Sequence, residues 1–113
     1  MSEDIKVLNS VMAAKIKTAE LISYQTDAVV SKTLIARPTG TVTMFAFDRG
    51  QGLSEHTAPF DAMVSILEGE AEVIIAGQSH ILQEGEMIIM PAGQPHALNA
   101  VQKFKMLLIM IKS

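Results

Sequence analysis

Two stretches decide the fold of this chain: GLSEHTAPFDAMVSILEG, from Gly52 to Gly69, and GEMIIMPAGQPHALN, from Gly85 to Asn99. Each places one histidine, His56 or His96, among short apolar runs that are bounded by turn residues. Glycine and proline at such bounds supply the backbone conformations that a chain reversal needs. The two stretches therefore predict strand–turn–strand units that carry both histidines into a small β-barrel with a pocket.

The chain from Val29 onward shows the same punctuation throughout. Its runs of four to nine apolar or β-branched residues suit strands rather than helices. Seven or more strands at this spacing predict an all-β sandwich or barrel. The predicted strands are VVSKTLIA (29–36), TVTMFAFD (41–48), MVSILEG (63–69), AEVIIAG (71–77), HILQ (80–83), MIIMPA (87–92), HALNAV (96–101) and FKMLLIMIK (104–112).

Residues 1–30 are predicted to be an N-terminal arm with a short helix, part of the same unit as a barrel over residues 31–113. The segment KVLNSV, residues 6–11, is expected to be extended. Thr18 is expected to cap a helix that continues to Tyr24.

Composition restricts the class of protein. A chain of 113 residues with 49% hydrophobic residues supports one core and one compact domain. Its nine basic and twelve acidic residues are scattered, with no basic block to neutralise a run of phosphates, so nucleic acid is not an expected partner. The absence of cysteine excludes disulfides, thiolate metal sites and a cysteine nucleophile.

The same sequence carries no signal for a membrane or for export. MSEDIKVLNS lacks the basic-then-apolar layout of a signal peptide. The longest apolar run, Met106 to Ile111, is far shorter than the roughly 20 residues of a membrane helix. We therefore expect a cytoplasmic protein without a membrane partner.

The two stretches resemble the motifs of the cupin superfamily, and the chain is similar to a small single-domain, RmlC-like cupin. That resemblance implies a double-stranded β-helix, or jelly-roll barrel. The family's second motif, G-x5-P-x-G-x2-H-x3-N, is matched by Gly85, Pro91, Gly93 and His96, although Asn99 comes one residue early.

The first motif, G-x5-H-x-H-x3,4-E-x6-G, is matched only in part. Gly50, His56 and Gly69 fall at its spacing, but Ala58 replaces the second histidine and Ala62 replaces the glutamate. The resemblance implies that one divalent metal ion is held in other cupins by the side chains at four positions, which correspond here to His56, Ala58, Ala62 and His96. Two of the four ligands are therefore missing here.

Strand periodicity indicates which side chains point into the barrel. Because side chains alternate along a strand, His56, Ala58, Ala62, Val64 and Ile66 are expected to face the interior. The two alanines enlarge that surface and remove charge that would compensate a dication. The spacing thus favours an apolar pocket over a tight metal cage.

The expected ligand pocket consists of His56, Asp61, Gln94 and His96, with a bulge after Pro59 needed to turn Asp61 inward. If a metal ion such as zinc, nickel, manganese or iron binds, His56 and His96 are the expected ligands, with Asp61 or His80 as the third. Two imidazoles alone bind such ions weakly. No cofactor is required by the sequence.

Three functions remain open at this point. The first is a barrel that binds a small molecule without catalysis. The second, implied by the resemblance, is a metal-dependent dioxygenase or isomerase that uses His56, His96 and an unconventional third ligand. The third is metal-free acid–base chemistry with Asp61 orienting a histidine, similar to some sugar-epimerising cupins.

A homodimer is the expected assembly. Small barrels often cover an apolar sheet face or edge with a second copy. The N-terminal arm and the strand MLLIMI, residues 106–111, are the predicted interface.

Overall fold

The computed structural model describes residues 6–7 and 12–112, which form two antiparallel sheets. The strands are β1 (Lys6–Val7), β2 (Val29–Arg37), β3 (Gly40–Phe47), β4 (Gly52–His56), β5 (Asp61–Glu68), β6 (Glu70–Ile75), β7 (Gln78–Gln83), β8 (Met87–Met90), β9 (His96–Ala100) and β10 (Phe104–Ile111). One sheet has the order β1-β2-β3-β10-β5-β8, and the other has the order β4-β9-β6-β7. The predicted all-β jelly-roll barrel is confirmed.

All eight predicted runs contain a strand, with ends that differ by a few residues. None of the eight apolar runs covers β4, whose sequence GLSEH is polar and mostly exposed. A strand of this kind has no apolar alternation to reveal it, and its pairing with β9 holds it in the sheet.

The N-terminal segment differs from its prediction. It contains one 3-10 turn, Thr18–Leu21, and does not continue as a helix to Tyr24. The predicted cap at Thr18 is wrong, because Lys17 precedes the turn and makes no side-chain cap hydrogen bond. Lys6–Val7 pairs with β2, while residues 8–11 of the predicted arm lie outside the described part of the chain.

The main core lies between the two sheets. In β5, Ala62, Val64 and Ile66 are buried and alternate with more exposed residues, as strand periodicity requires. Phe47 and Phe104, direct partners on β3 and β10, are buried in this core and stack with ring centroids 4.5 Å apart. Burial of these side chains supplies the main driving force for closing the sandwich.

Gly69 allows the β5–β6 hairpin to approach the start of β10. Its φ is +85°, in the region that favours glycine. A Cβ at this position would overlap the carbonyl oxygen of Lys103 and lie 2.7 Å from Phe104 Cα. The glycine that ends the family's first motif therefore has a packing role here.

Strand β10 contributes to both faces of the six-stranded sheet. Met106, Leu108 and Met110 belong to or pack against the core between the sheets. The alternate side chain of Leu107 packs in a second cluster on the outer face, with Ile22 and Met44. Because β10 lies between β3 and β5, MLLIMI offers an outer face to a partner but no free edge.

None of the helices in the described ranges is long and apolar enough to cross a membrane.

Candidate functional site

An apolar pocket opens between the two sheets, and the two motif histidines form its polar end. Its volume is about 60 Å³, several times the roughly 10–15 Å³ that one water molecule occupies by the same measure. The pocket therefore has room for a small organic group. Its lining is Leu53, His56, Ala58, Ala62, Met90, His96, Leu98, Met106, Leu108 and Met110.

Cross-strand register brings the two histidines together. His56, the last residue of β4, is the direct partner of His96, the first residue of β9. Side chains of direct antiparallel partners lie on the same face, close enough to touch. Two residues that are forty positions apart in the sequence are thereby brought into contact.

A register shift in β4 is required for this contact. Gly52 and Leu53 pair with Asn99 and Leu98, but the register moves by one residue between Leu53 and His56. Such a bulge reverses the alternation of side chains beyond it. Leu53 and His56, three positions apart, consequently both line the pocket.

The two imidazoles meet through their Nε2 atoms. These atoms lie 3.1 Å apart, and the rings are arranged edge to face with a centroid distance of 4.4 Å. His56 Nδ1 lies 2.9 Å from the carbonyl oxygen of Ser54, and His96 Nδ1 lies 3.1 Å from that of Gln94. His96 is only 5% exposed, whereas His56 is at the exposed mouth.

The other predicted site residues occupy different places. Gln94 contributes its backbone carbonyl to His96, but its side chain does not line the pocket. Asp61 is exposed at the start of β5, where its carboxylate accepts a hydrogen bond from the Ala92 N–H at 2.9 Å. His80 lies on β7 and is not part of the lining.

These positions bear on the metal-dependent enzyme and on the His–Asp pair. Within the described ranges, no three His, Cys, Asp or Glu side chains come together in a way that could hold a metal ion. Two imidazoles are fewer than the three or four protein ligands of a retained site. The residues present therefore do not fit a resident divalent metal, and Asp61 bonds to a backbone amide instead of orienting either histidine.

The aliphatic lining was only partly visible in the sequence. Ala58 and Ala62 line the pocket as expected, but not through alternation along one strand, because Ala58 lies in the connection between β4 and β5 and those strands belong to different sheets. Leu53, Leu98, Leu108 and Met110 were not singled out as pocket residues. Alternation along β10 was the available signal, since Met106, Leu108 and Met110 share one face.

Comparisons with known proteins agree with this architecture. A family model described as Cupin domain matches residues 43–112. A conserved protein of unknown function from Streptococcus pyogenes is 40% identical, with a TM-score of 0.86 and 89% of each chain covered. No match was found among curated proteins.

Two further solved structures are similar. A Cupin 2 conserved barrel domain protein from Leptotrichia buccalis is 41% identical with a TM-score of 0.81, covering 83% of this chain and 46% of the other. A cupin superfamily protein from Desulfitobacterium hafniense is 28% identical with a TM-score of 0.85, covering 88% and 92%. With the family model spanning most of its length, the chain belongs to the cupin family.

Proposed function

We propose that this cupin binds a small, largely apolar organic molecule in its barrel, with the His56–His96 pair holding the polar end of that molecule. The observation that carries the proposal is the composition of the lining. Eight of its ten residues are apolar, and the two histidines are the remaining two. An apolar cleft with a few convergent polar groups is the usual form of a small-molecule site.

The shape of the pocket supports binding over metal chemistry. Ala58 and Ala62 leave space where the family's motif has a histidine and a glutamate. Methionine side chains from β8 and β10 line the pocket beside Ala62 in the same sheet, and they adapt readily to different ligand shapes. The pocket is thus suited to enclosing a hydrocarbon group and hydrogen-bonding one polar group.

Methyl-labelled methionine provides a direct test. Met90, Met106 and Met110 line the pocket, whereas Met44 is buried on the other face of the sheet. On titration with short-chain alcohols, amides and acids, we expect NMR shifts of the three pocket methyls and none at Met44. Shifts that spread equally to Met44 would contradict binding in the pocket.

A pocket-filling variant completes that test. Ala58→Leu places a larger side chain in the cavity and should weaken binding by roughly tenfold or more, because the ligand and the added side chain compete for one small space. Ala97→Leu is the matched control, since Ala97 is not part of the lining. Unchanged affinity in Ala58→Leu would locate the ligand elsewhere.

For assembly, we propose a homodimer that forms through the outer face of the six-stranded sheet. A row of paired residues crosses five strands there, and we call it the outer apolar row: Ile89, Met63, Ile109, Val42 and Ile35. Ile89 is 55% exposed, and an apolar groove runs beside it between Met63 and Ile109.

A second copy is the occupant that this row fits. Each member is the direct cross-strand partner of the next, so the row forms a continuous ridge. A ridge of one composition can pack against its own copy across a two-fold axis, as an isologous interface requires. Charged side chains are absent from the row itself, as expected of an interface core.

A further inference from the structure

Two of the methionines that line the pocket flank the position where the family's motif has a glutamate. Met90 on β8 and Met110 on β10 are both direct cross-strand partners of Ala62 on β5. Direct partners in an antiparallel sheet point to the same face, with Cβ atoms about 5 Å apart. A thioether side chain therefore lies on each side of the alanine that replaces the carboxylate.

The two histidines present nitrogen atoms to the same pocket. His56 Nδ1 lies 2.9 Å from the carbonyl oxygen of Ser54, and His96 Nδ1 lies 3.1 Å from that of Gln94. A carbonyl oxygen only accepts, so each Nδ1 carries the hydrogen and each Nε2 keeps its lone pair. Imidazole ligands of metal ions are commonly oriented in this way, by a backbone carbonyl bonded to the other ring nitrogen.

One ion can reach both of these nitrogens. The Nε2 atoms are 3.1 Å apart, and both can lie about 2 Å from a single ion, the usual metal–imidazole distance. His96 is largely buried, whereas His56 is at the exposed mouth. An ion can therefore enter from solvent and keep its remaining coordination positions for other side chains of the pocket.

The donor atoms select the kind of ion. A divalent ion lacks ligands in the described part of the chain, because no third His, Cys, Asp or Glu side chain joins the two histidines. Thioether sulfur is a soft donor that favours copper(I). The pocket lining contains no acid, and the cost of placing an ion there rises with the square of its charge. A monovalent ion is therefore the better fit.

We propose that the polar end of the pocket binds a soft monovalent metal ion of the copper(I) class. Its ligands are Nε2 of His56, Nε2 of His96 and the thioether sulfurs of Met90 and Met110. All four side chains line one cavity of about 60 Å³. The site goes beyond the proposed function, because it uses the two sulfurs as ligands, whereas an organic molecule needs only the apolar surface around them.

Silver(I) is the probe for this site, because it is soft and monovalent like copper(I) and keeps its charge without a reductant. On calorimetric titration with silver nitrate in chloride-free buffer, we expect one tightly bound silver ion per chain. NMR of methyl-labelled methionine should show the largest shifts at Met90 and Met110. Equally large shifts at Met87, which is exposed and outside the lining, would indicate thioether binding without a built site and overturn the proposal.

A second titration tests the preference for a soft ion. Zinc should bind roughly 100-fold more weakly than silver, since only the two imidazoles suit it. Equal affinity for the two ions contradicts the assignment of the sulfurs as ligands.

Leucine variants test each sulfur. Met90→Leu and Met110→Leu keep an apolar side chain of similar volume, so the barrel should fold. Each should weaken silver binding about tenfold or more through loss of one soft ligand. Met106→Leu is the matched control, because Met106 lines the same pocket but pairs with Ile66 and not with Ala62. It should change silver affinity less than about twofold, and equal losses in all three variants overturn the ligand set.

Histidine variants test each nitrogen. His56→Gln and His96→Gln should each weaken silver binding about tenfold or more, whereas His80→Gln, outside the lining, should leave it unchanged. Unchanged affinity in the His56 or His96 variant removes that residue from the site and overturns the proposal.

The same variants separate this site from the proposed function. Met90→Leu keeps the lining apolar, so short-chain alcohols and amides should still bind to it. If such compounds shift the pocket methyls and silver has no preferred site, small-molecule binding stands and the ion site fails. If one silver ion binds per chain and no organic compound shifts the pocket methyls, the ion site stands and the proposed function fails.

Discussion

Ala58 and Ala62 determine what the histidine pair lacks. Both line the pocket beside His56 and His96, at the positions where the family's motif has a histidine and a glutamate. Neither alanine offers a lone pair, so the site is left with two imidazole donors. Alanine in place of histidine and of glutamate thus removes two of the four ligands of the family's motif and leaves apolar surface in their place.

Restoring those side chains should restore metal binding. In the Ala58→His/Ala62→Glu variant, we expect stoichiometric zinc binding roughly 100-fold tighter than in the unchanged protein. The variant would offer the ion four ligands, whereas the unchanged protein offers two. Calorimetric titration with zinc alone, on protein purified without a metal-affinity tag, measures the difference.

The control for that experiment adds an imidazole outside the pocket. Ala97→His carries a new histidine next to His96 in sequence, but Ala97 does not line the pocket. It should bind zinc no better than the unchanged protein. Stoichiometric tight zinc in the unchanged protein would contradict the two-ligand interpretation of the site.

At the scale of elements, a polar cluster fastens the N-terminal segment to the outer face of the six-stranded sheet. Tyr24 donates a hydrogen bond to Glu68 at 2.7 Å, and Lys105 lies 3.8 Å from the same carboxylate. Lys105 also donates to the carbonyl oxygen of Ala19 at 2.6 Å. Ile22 of the same segment is buried in an apolar cluster against which Tyr24 packs, so polar and apolar contacts act together.

This cluster predicts a loss of stability at high pH. Burial, the hydrogen bond to Glu68 and the charge of Glu68 raise the pKa of Tyr24 above its ordinary value of 10.0. Between that value and the raised native pKa, the unfolded chain binds fewer protons than the native protein. The free energy of unfolding should therefore fall as pH rises above about 10.

The single tyrosine makes the test specific, because the chain has no tryptophan and phenolate absorbance reports Tyr24 alone. Glu68→Gln should shift ionisation back towards its ordinary pH range, whereas Glu72→Gln, on the other sheet, should not. Tyr24→Phe should cost about 1 kcal/mol at pH 8 through loss of the hydrogen bond, and should lose less stability above pH 10. Ionisation of Tyr24 near pH 10 in the folded protein would refute this account.

At the scale of the whole molecule, the two sheets expose different surfaces. The six-stranded sheet carries the outer apolar row, with Ile89 and Ile35 exposed at its two ends. The four-stranded sheet exposes Ile81, which is 52% accessible, between the polar residues Glu72 and Gln83 of its hairpin. A single apolar residue of that kind is ordinary on a protein surface, whereas a row across five strands is the kind of patch that the proposed dimer would cover.

The proposed dimer predicts a concentration-dependent mass. Light scattering at micromolar concentration should give twice the 12.2 kDa mass of the chain. Ile109→Glu should weaken dimerisation at least roughly 100-fold, because it buries an unpaired carboxylate at the centre of the interface. Ile81→Glu, a matched change on the other sheet, should leave the mass unchanged. A monomeric mass for the unchanged protein contradicts the proposal.

The sequence by itself determined the barrel, most of its strands and the loss of two ligand positions. These features are local: alternation, turn residues at fixed spacing and motif positions can all be read along the chain. The same local signals failed at β4, whose polar residues have no apolar period, and at Thr18, where a 3-10 turn replaced the expected helix.

Only the tertiary structure decided how the histidines meet and which surface lies open. The register shift after Leu53, the Nε2 contact of His56 with His96 and the outer apolar row all depend on pairing between strands distant in sequence. A one-residue change in register turns a side chain to the opposite face, and neighbouring residues do not encode that register. Strand pairing therefore determines which side chains meet in this pocket, whereas the sequence determines which residue types are available to meet.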